Sequence, residues 1–239
     1  MRHSNTFGRT TVGEILRESL GVYKGHFGLF VSLAAVIYVP YYMVLSIVRL
    51  ESSLSVMVGM IVTGIVAQSL VTAMMIWVIV RVSLGREVGF VSALGVLALS
   101  LVVRILGTAL LVGVGVSVGF LLLIVPGLVL LVWFSLANQV VVVEGAAYFE
   151  ALRRSMEVVR GSWWRVLYVL LVLMLINLAM VMLCGALFGE AAGAISQILG
   201  ILFVPLWSIA LTLLYLDLRA EKEGFSVASL GEFGMDAEE

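Results

Sequence analysis

Charge is what this chain has least of. Only 12% of its 239 residues are Asp, Glu, Lys or Arg, while 62% are hydrophobic; an ordinary soluble domain carries about 25% charged residues. Mean hydropathy is +1.18. A single soluble core is excluded, and a polytopic membrane protein is expected. Cysteine is nearly absent too. Cys184 alone excludes an intrachain disulfide framework and a cysteine-only metal cluster. The two histidines, His3 and His26, are too few for a histidine metal site. Paired catalytic carboxylates, a nucleophile elbow, a P-loop and a zinc motif are all missing, and no cofactor is expected. Residues 1–26 lack the short apolar core and small-residue cleavage site of a signal peptide. The net charge of −1 gives no reason to expect a nucleic-acid partner.

What the chain does have is long apolar runs. Spans are expected over about Phe27–Val48, Leu54–Val80, Ile105–Ile124, Leu128–Val143, Val166–Leu187 and Ala194–Leu216. Most reach the roughly 20 residues that a bilayer crossing needs; the fourth is short. Arg49–Ser53, Ile-Val-Pro-Gly at 124–127 and Gly189–Gly193 read as turns. Pro40, Pro126 and Pro205 fall one per hairpin, as kinks or turns.

A basic segment, Glu144 to Arg165, stands between two of these runs and has an earlier counterpart. EILRESLGVYKG (14–25) and EALRRSMEVVRG (150–161) match at Glu, Leu, Arg, Ser, Val and Gly. We read an internal repeat. Thr11 and Glu14 form a capping box at the first copy. Leu16, Leu20, Tyr23 and Phe27, and likewise Leu152, Met156, Val159 and Trp163, share one helical face. Glu150/Arg154 and Arg153/Glu157 are i,i+4 pairs on the other face. Each copy ends at a glycine, Gly25 or Gly161, as an αL cap would. The unit is expected to be an amphipathic helix on the membrane surface that turns into the bilayer. Residues 87–103 read either as a degenerate third copy, with Ala93-Leu94 aligned to Ala151-Leu152, or as part of the third span.

The expected fold is therefore all-α: six transmembrane helices in three hairpins, with cytoplasmic amphipathic helices. Residues 1–10 form a flexible start, 11–223 a single membrane domain with repeat units at about 11–86, 87–144 and 145–223, and 224–239 an acidic cytoplasmic tail. Of the 14 Lys and Arg residues, only Arg49 falls on the side opposite the surface helices. The positive-inside rule then places both termini in the cytoplasm.

The polar residues that stand out divide between the helix ends and the span interiors. Glu144 closes the fourth span, either as an anchor for the surface helix through Arg153, Arg154 or Arg165, or as a solvated interfacial charge. Trp163 and Trp164 sit where an interfacial aromatic belt is expected, beside Arg160. Gln68 and Asn177 lie near the middle of their spans, as a substrate pathway or as interhelical hydrogen-bond glue. Ala109/Gly113/Ser117 and Gly115/Gly119 have the small-xxx-small spacing that permits close helix contact.

Three segments together resemble a known family: VVVVEG followed by EALRRSMEVVRGSWWRV, the Ile-Val-Pro-Gly turn, and TLLYLDLRAEKEGF (212–225). They resemble the six-span glycerophosphoryl diester phosphodiesterase membrane domain family of bacteria and archaea, over about residues 11–226. In the proteins that gave that family its name, chemistry belongs to a separate soluble barrel with its own histidines, glutamates and metal. The resemblance therefore implies a stand-alone protein of the cytoplasmic (inner) membrane, without that activity. It marks Glu144, Glu150, Arg153, Arg154, Ser155, Arg160, Gly161, Trp163, Trp164, Arg165, Tyr215, Asp217 and Arg219 as structural or lipid-contact residues. The expected role is non-enzymatic: engaging membrane lipid, or a protein partner, through the cytoplasmic helices. A small permease passing a substrate through the bundle is the alternative.

Overall fold

The structure, a computed structural model, describes residues 10–48, 53–86 and 88–224. The expected flexible start (1–9), most of the turn at Arg49–Ser53 and the tail from 225 lie outside the described residues, as do Arg49 and Glu51.

The described chain is helical, with no strand: α1 (Val12–Gly25), α2 (Phe27–Val48), α3 (Leu54–Ser83), α4 (Phe90–Gly95), α5 (Leu99–Leu122), α6 (Ile124–Phe134), α7 (Ala137–Glu144), α8 (Tyr148–Val159), α9 (Trp163–Phe188) and α10 (Ala192–Glu223). Five segments are long and apolar enough to cross a membrane: Phe27–Ser46, Leu54–Ser83, Leu99–Leu122, Ile124–Glu144 and the 61-residue stretch Trp163–Glu223. The last is α9 and α10, joined by a 3₁₀ turn at Gly189–Ala191 and packed on each other.

Local chemistry sets several of these boundaries. Thr11 Oγ1 accepts from the Glu14 N–H at 3.3 Å, and the Glu14 carboxylate accepts from the Thr11 N–H at 2.7 Å. Two of the orphan donors at the start of α1 are thereby satisfied. These bonds, the backbone one first, hold the Glu14 carboxyl below its ordinary pKa.

Ile-Val-Pro-Gly is not a turn. Leu123 alone, at φ −165° and ψ 157°, separates α5 from α6, and Pro126 lies in the first turn of α6. There a missing N–H costs no helical hydrogen bond. The fourth span consequently starts four residues earlier than expected. It is also broken, at Ser135–Leu136 between α6 and α7. Residue 87 lies outside the described residues; 88–103 hold the six-residue α4 and, after a short link, the start of α5, and Ala93 of α4 is buried, as Ala151 is. Gly25 is not an αL cap, because α1 passes into α2 through His26 at φ −129°. Gly161 is one, at φ +88°.

The core gathers at one end of the bundle. The stretch Ser208–Ala220 of α10 is buried throughout, and α10 packs on α1, α2, α3, α7, α8 and α9. The second half of α3 lies beside it: Ala73, Ile76 and Val80 face a cluster with α7, α8 and α9, while Val71, Met74 and Val78 face one with α2. Leu54, Met57 and Ile61 of α3, Leu121 of α5 and Met182 of α9, nearer the other end, are exposed.

The surface helices meet this core by a face that only partly overlaps the expected one: Leu152 and Val159 are buried and Leu16, Tyr23 and Trp163 pack on the core, while Leu20 and Phe27 are exposed. In α1 the buried residues are Ile15 and Ser19, and Leu20 is exposed. In α8 they are Ala151, Leu152, Ser155, Val158 and Val159. Aligned positions, Ile15/Ala151 and Ser19/Ser155, are inward in both copies. Ser19 and Ser155, polar residues left out of the expected apolar face, are therefore part of the contact in both copies.

Candidate functional site

The basic end of the bundle is tied by a charge network. Glu144 ends α7, where Gly145 at φ +73° caps the helix. Its Oε2 accepts from Arg154 Nε of α8 at 2.8 Å, and its Oε1 accepts from the Tyr215 hydroxyl of α10. Arg219 Nε stands 3.6 Å from the same Oε1. Glu223, one turn beyond, accepts from Arg219 Nε at 3.0 Å and from Arg154. Burial works against the Arg154 charge, but its hydrogen bonds to Glu144 and Glu223 outweigh this and hold the guanidinium above its ordinary pKa. A second knot joins Arg165 of α9 to Asp217, to Glu221 at 3.3 Å and to the Thr10 hydroxyl at 2.9 Å. Asp217 is only 2% exposed. Glu18 of α1 faces this knot: burial first, and the Asp217 carboxylate second, push its carboxyl above the ordinary value.

Further contacts set how α8 sits. Lys222 Nζ donates to the carbonyls of Glu157, at 2.9 Å, and Arg160, closing the C-terminus of α8. The Ser155 hydroxyl donates to the Trp133 carbonyl at 2.6 Å, in the last turn of α6, where an interrupted helix leaves acceptors. The turn before α8 is held by α5. Arg104 donates to the Gly145 carbonyl at 3.3 Å, and the Tyr148 N–H donates to Thr108 Oγ1 at 2.8 Å. Tyr148 takes φ +57°, a left-handed conformation uncommon outside glycine, with its ring against Gly107.

Among the sequence-marked residues, Glu144, Arg154, Tyr215 and Arg219 thus meet in one knot and Arg165 and Asp217 in a second, while Ser155 bonds the end of α6. Glu150 joins neither knot: Arg154 turns from it to Glu144 and Glu223, so the Glu150/Arg154 pair does not form. Arg153 pairs with Glu157 at 3.2 Å, as expected, on a side chain 80% exposed. Trp163 packs on the core while Trp164, edge-on to it at 4.8 Å, is 65% exposed.

The second polar locus is a cavity of about 430 Å³ inside the bundle, lined by α3, α5, α6, α7, α9 and α10. Gln68 reaches it; its Oε1 accepts from the Tyr38 hydroxyl and its Nε2 donates to Thr72 Oγ1 at 3.2 Å. Asn177 is half-buried on α9 and does not line it. Asn138 and Gln139 do, and the sequence reading missed them. Their signal was three polar residues, Ser135, Asn138 and Gln139, within one apolar run at helical spacing. Among the described residues, no group of three His, Cys, Asp or Glu could hold a metal ion.

Apolar helices of crossing length, packed as an all-helical bundle with a charge network at one end, place this chain in the membrane-spanning class. Within that class it belongs to the family described as a domain of unknown function, DUF7847, whose model matches residues 51–218. The matched region runs from the start of α3 to Leu218 and includes Glu144, Arg154, Arg165, Tyr215 and Asp217. No curated protein and no solved structure matches the chain.

Proposed function

We propose that this chain is a non-enzymatic protein of a bacterial or archaeal cytoplasmic membrane that engages membrane lipid through the outer edge of α8. Six crossings in three hairpins, each preceded by a surface helix (α1, α4, α8), are part of this reading. The 61-residue stretch would measure about 90 Å as one straight helix, three bilayer thicknesses. Both termini and the charge network face the cytoplasm, on the strength of the lysine and arginine distribution. Kinship with the glycerophosphoryl diester phosphodiesterase membrane domain family remains part of the proposal. It rests on the three resembling segments, two of which meet where Glu144 and Arg154 contact Tyr215 and Arg219.

One observation carries the lipid reading. Arg154 and Arg165 are taken up by carboxylates of the bundle, and what α8 and the start of α9 leave outward is Phe149, 74% exposed, with Arg153, Arg160 and Trp164. Apolar, basic and indole groups along α8 and the turn into α9 match an interface between headgroups and acyl chains. Each basic residue near an anionic leaflet contributes about 1 kcal/mol, partly offset here by Glu150 and Glu157. Arg153→Ala with Arg160→Ala is expected to lower the anionic lipid co-purifying in neutral detergent about threefold, with thermal stability unchanged. Unchanged lipid content would reject the reading; a protein partner of the same edge would then be sought by crosslinking in membranes. The cavity favours the second reading, a small permease. That reading requires the cavity to open to both sides, which a thiol probe at Gly113→Cys, applied from either side, would register.

A further inference from the structure

The cavity has a composition that selects a ligand. Its polar lining comes from three amides, Gln68, Asn138 and Gln139, and from the hydroxyls of Thr72, Ser117, Ser135 and Ser208; no Asp, Glu, Lys or Arg lines it. A charged headgroup placed there would have no counter-charge, and an unpaired buried charge is strongly disfavoured. Gln139 is 3% exposed, yet its Oε1 has no hydrogen-bond partner, and neither has Asn138 Oδ1. Buried amide groups are nearly always paired, so these two stand ready for a partner that supplies hydroxyls. The remaining wall is apolar: Phe134, Leu170, Met174, Trp207 and Leu211.

The cavity also opens sideways. An adjoining hollow shares Gln68, Thr72, Ala109, Gly113, Ser117 and Asn138 with it and continues to Ile65 of α3 and Leu110, Val114 and Val118 of α5, all four exposed. A molecule reaching it this way comes through the apolar flank of the bundle, where acyl chains lie if α3 and α5 cross a membrane. About 430 Å³ is within the ordinary range of ligand cavities.

We propose that this cavity binds an uncharged, hydroxyl-bearing lipid of the diacylglycerol type. Its headgroup hydrogen-bonds Asn138 and Gln139, beside the break between α6 and α7. Its chains leave between α3 and α5. The proposal gives the permease reading a ligand class but requires binding only, so an absence of flux leaves it standing.

The test uses the purified full chain in nonionic detergent with a diazirine-bearing short-chain diacylglycerol. Saturable labelling is expected on peptides of α5, α7 or α10. Dioctanoylglycerol is expected to compete at least tenfold better than dioctanoyl phosphatidic acid or hexadecane. Asn138→Leu with Gln139→Leu should weaken labelling about tenfold, the worth of one or two hydrogen bonds. Gly113→Leu should abolish it, since a Cβ there meets nothing within 4 Å and the side chain fills the cavity. Labelling that stays linear with probe concentration would overturn the proposal. So would equal competition by phosphatidic acid or hexadecane, or full labelling of a folded Gly113→Leu. If Gly113→Leu does not fold, the amide variant decides, because Asn138 Oδ1 and Gln139 Oε1 have no hydrogen bond within the protein to lose.

Discussion

Glu144 ends α7 among donors from two other helices: Arg154 of α8, and Tyr215 and Arg219 of α10. It is the residue through which three elements meet, so its loss takes one carboxylate from two guanidinium groups at once and leaves Glu223 to serve both. Breaking a buried pair costs about 3–5 kcal/mol, and an exposed one under 1. Arg154 and Glu144 side chains lie between these limits, at 25% and 17% exposure. Glu144→Ala and Arg154→Ala are each expected to lower stability by about 2 kcal/mol, and the double variant by less than the sum, because the two share one interaction. Arg153→Ala, which removes only an exposed i,i+4 pair, should change stability by under about 0.5 kcal/mol. Melting in neutral detergent checks all four; equal losses for Arg153→Ala and Arg154→Ala would defeat the assignment. The sequence narrows the partner of Glu144 to three arginines and goes no further. Glu150 lies one turn from Arg154 and competes on paper. Only the arrival of α10, carrying Tyr215, Arg219 and Glu223, decides between them, and that arrival is a tertiary event with no local trace.

The helices show the same division between local and tertiary information. The capping box before α1, the length of α2 and the glycine turn between α9 and α10 follow from short-range chemistry and were legible. The break in α6–α7 was not, because neither Gly nor Pro marks Ser135–Leu136; Pro126 misled in the other direction, being tolerated in a first turn. Helix α5 carries two small-residue stripes that read alike in sequence and do different things. Gly115 and Gly119 pack on α6: a Cβ at Gly119 would lie 2.9 Å from Gly127 Cα, and one at Gly127 would lie 2.7 Å from the Phe120 backbone nitrogen. Ala109, Gly113 and Ser117 instead line the cavity, so close helix contact is not what they provide. Backbone contacts of this kind cannot relax by a rotamer change. Gly127→Ala is expected to destabilise by about 1–3 kcal/mol as overpacking does, while Gly113→Ala stays within about 0.5 kcal/mol or gains slightly through helix propensity. Thermal unfolding of the two variants, side by side, reads the difference; an equal effect would mean that α5 and α6 are not pressed together at Gly119 and Gly127.

Over the whole molecule, charge and core coincide at one end. The charge network, the buried stretch Ser208–Ala220 and the packed half of α3 lie together, and apolar residues on the outer faces are left exposed along the remaining length. Such a surface is at rest only in hydrocarbon, where helices satisfy their own backbone groups. The number of crossings then turns on the final 61 residues. Helix α9 has 26 residues and α10 has 32, about 39 and 48 Å at 1.5 Å per residue, so each exceeds the roughly 30 Å hydrocarbon core. If both cross, Arg160 before α9 and Gly224 after α10 lie on one side and Glu190 on the other. If the stretch makes a single crossing, Arg160 and Gly224 are on opposite sides. Single cysteines at positions 160, 190 and 224, in a Cys184→Ala background, separate the two cases with a membrane-impermeant maleimide applied to sealed vesicles of known orientation. Labelling of 160 and 224 from the cytoplasmic face, and of 190 from the opposite face, is expected. Opposite sidedness of 160 and 224 would reduce the count to five and remove the third hairpin. Labelling of 160 and 224 together from the outer face would keep the hairpin and reverse the orientation that the lysine and arginine distribution implies.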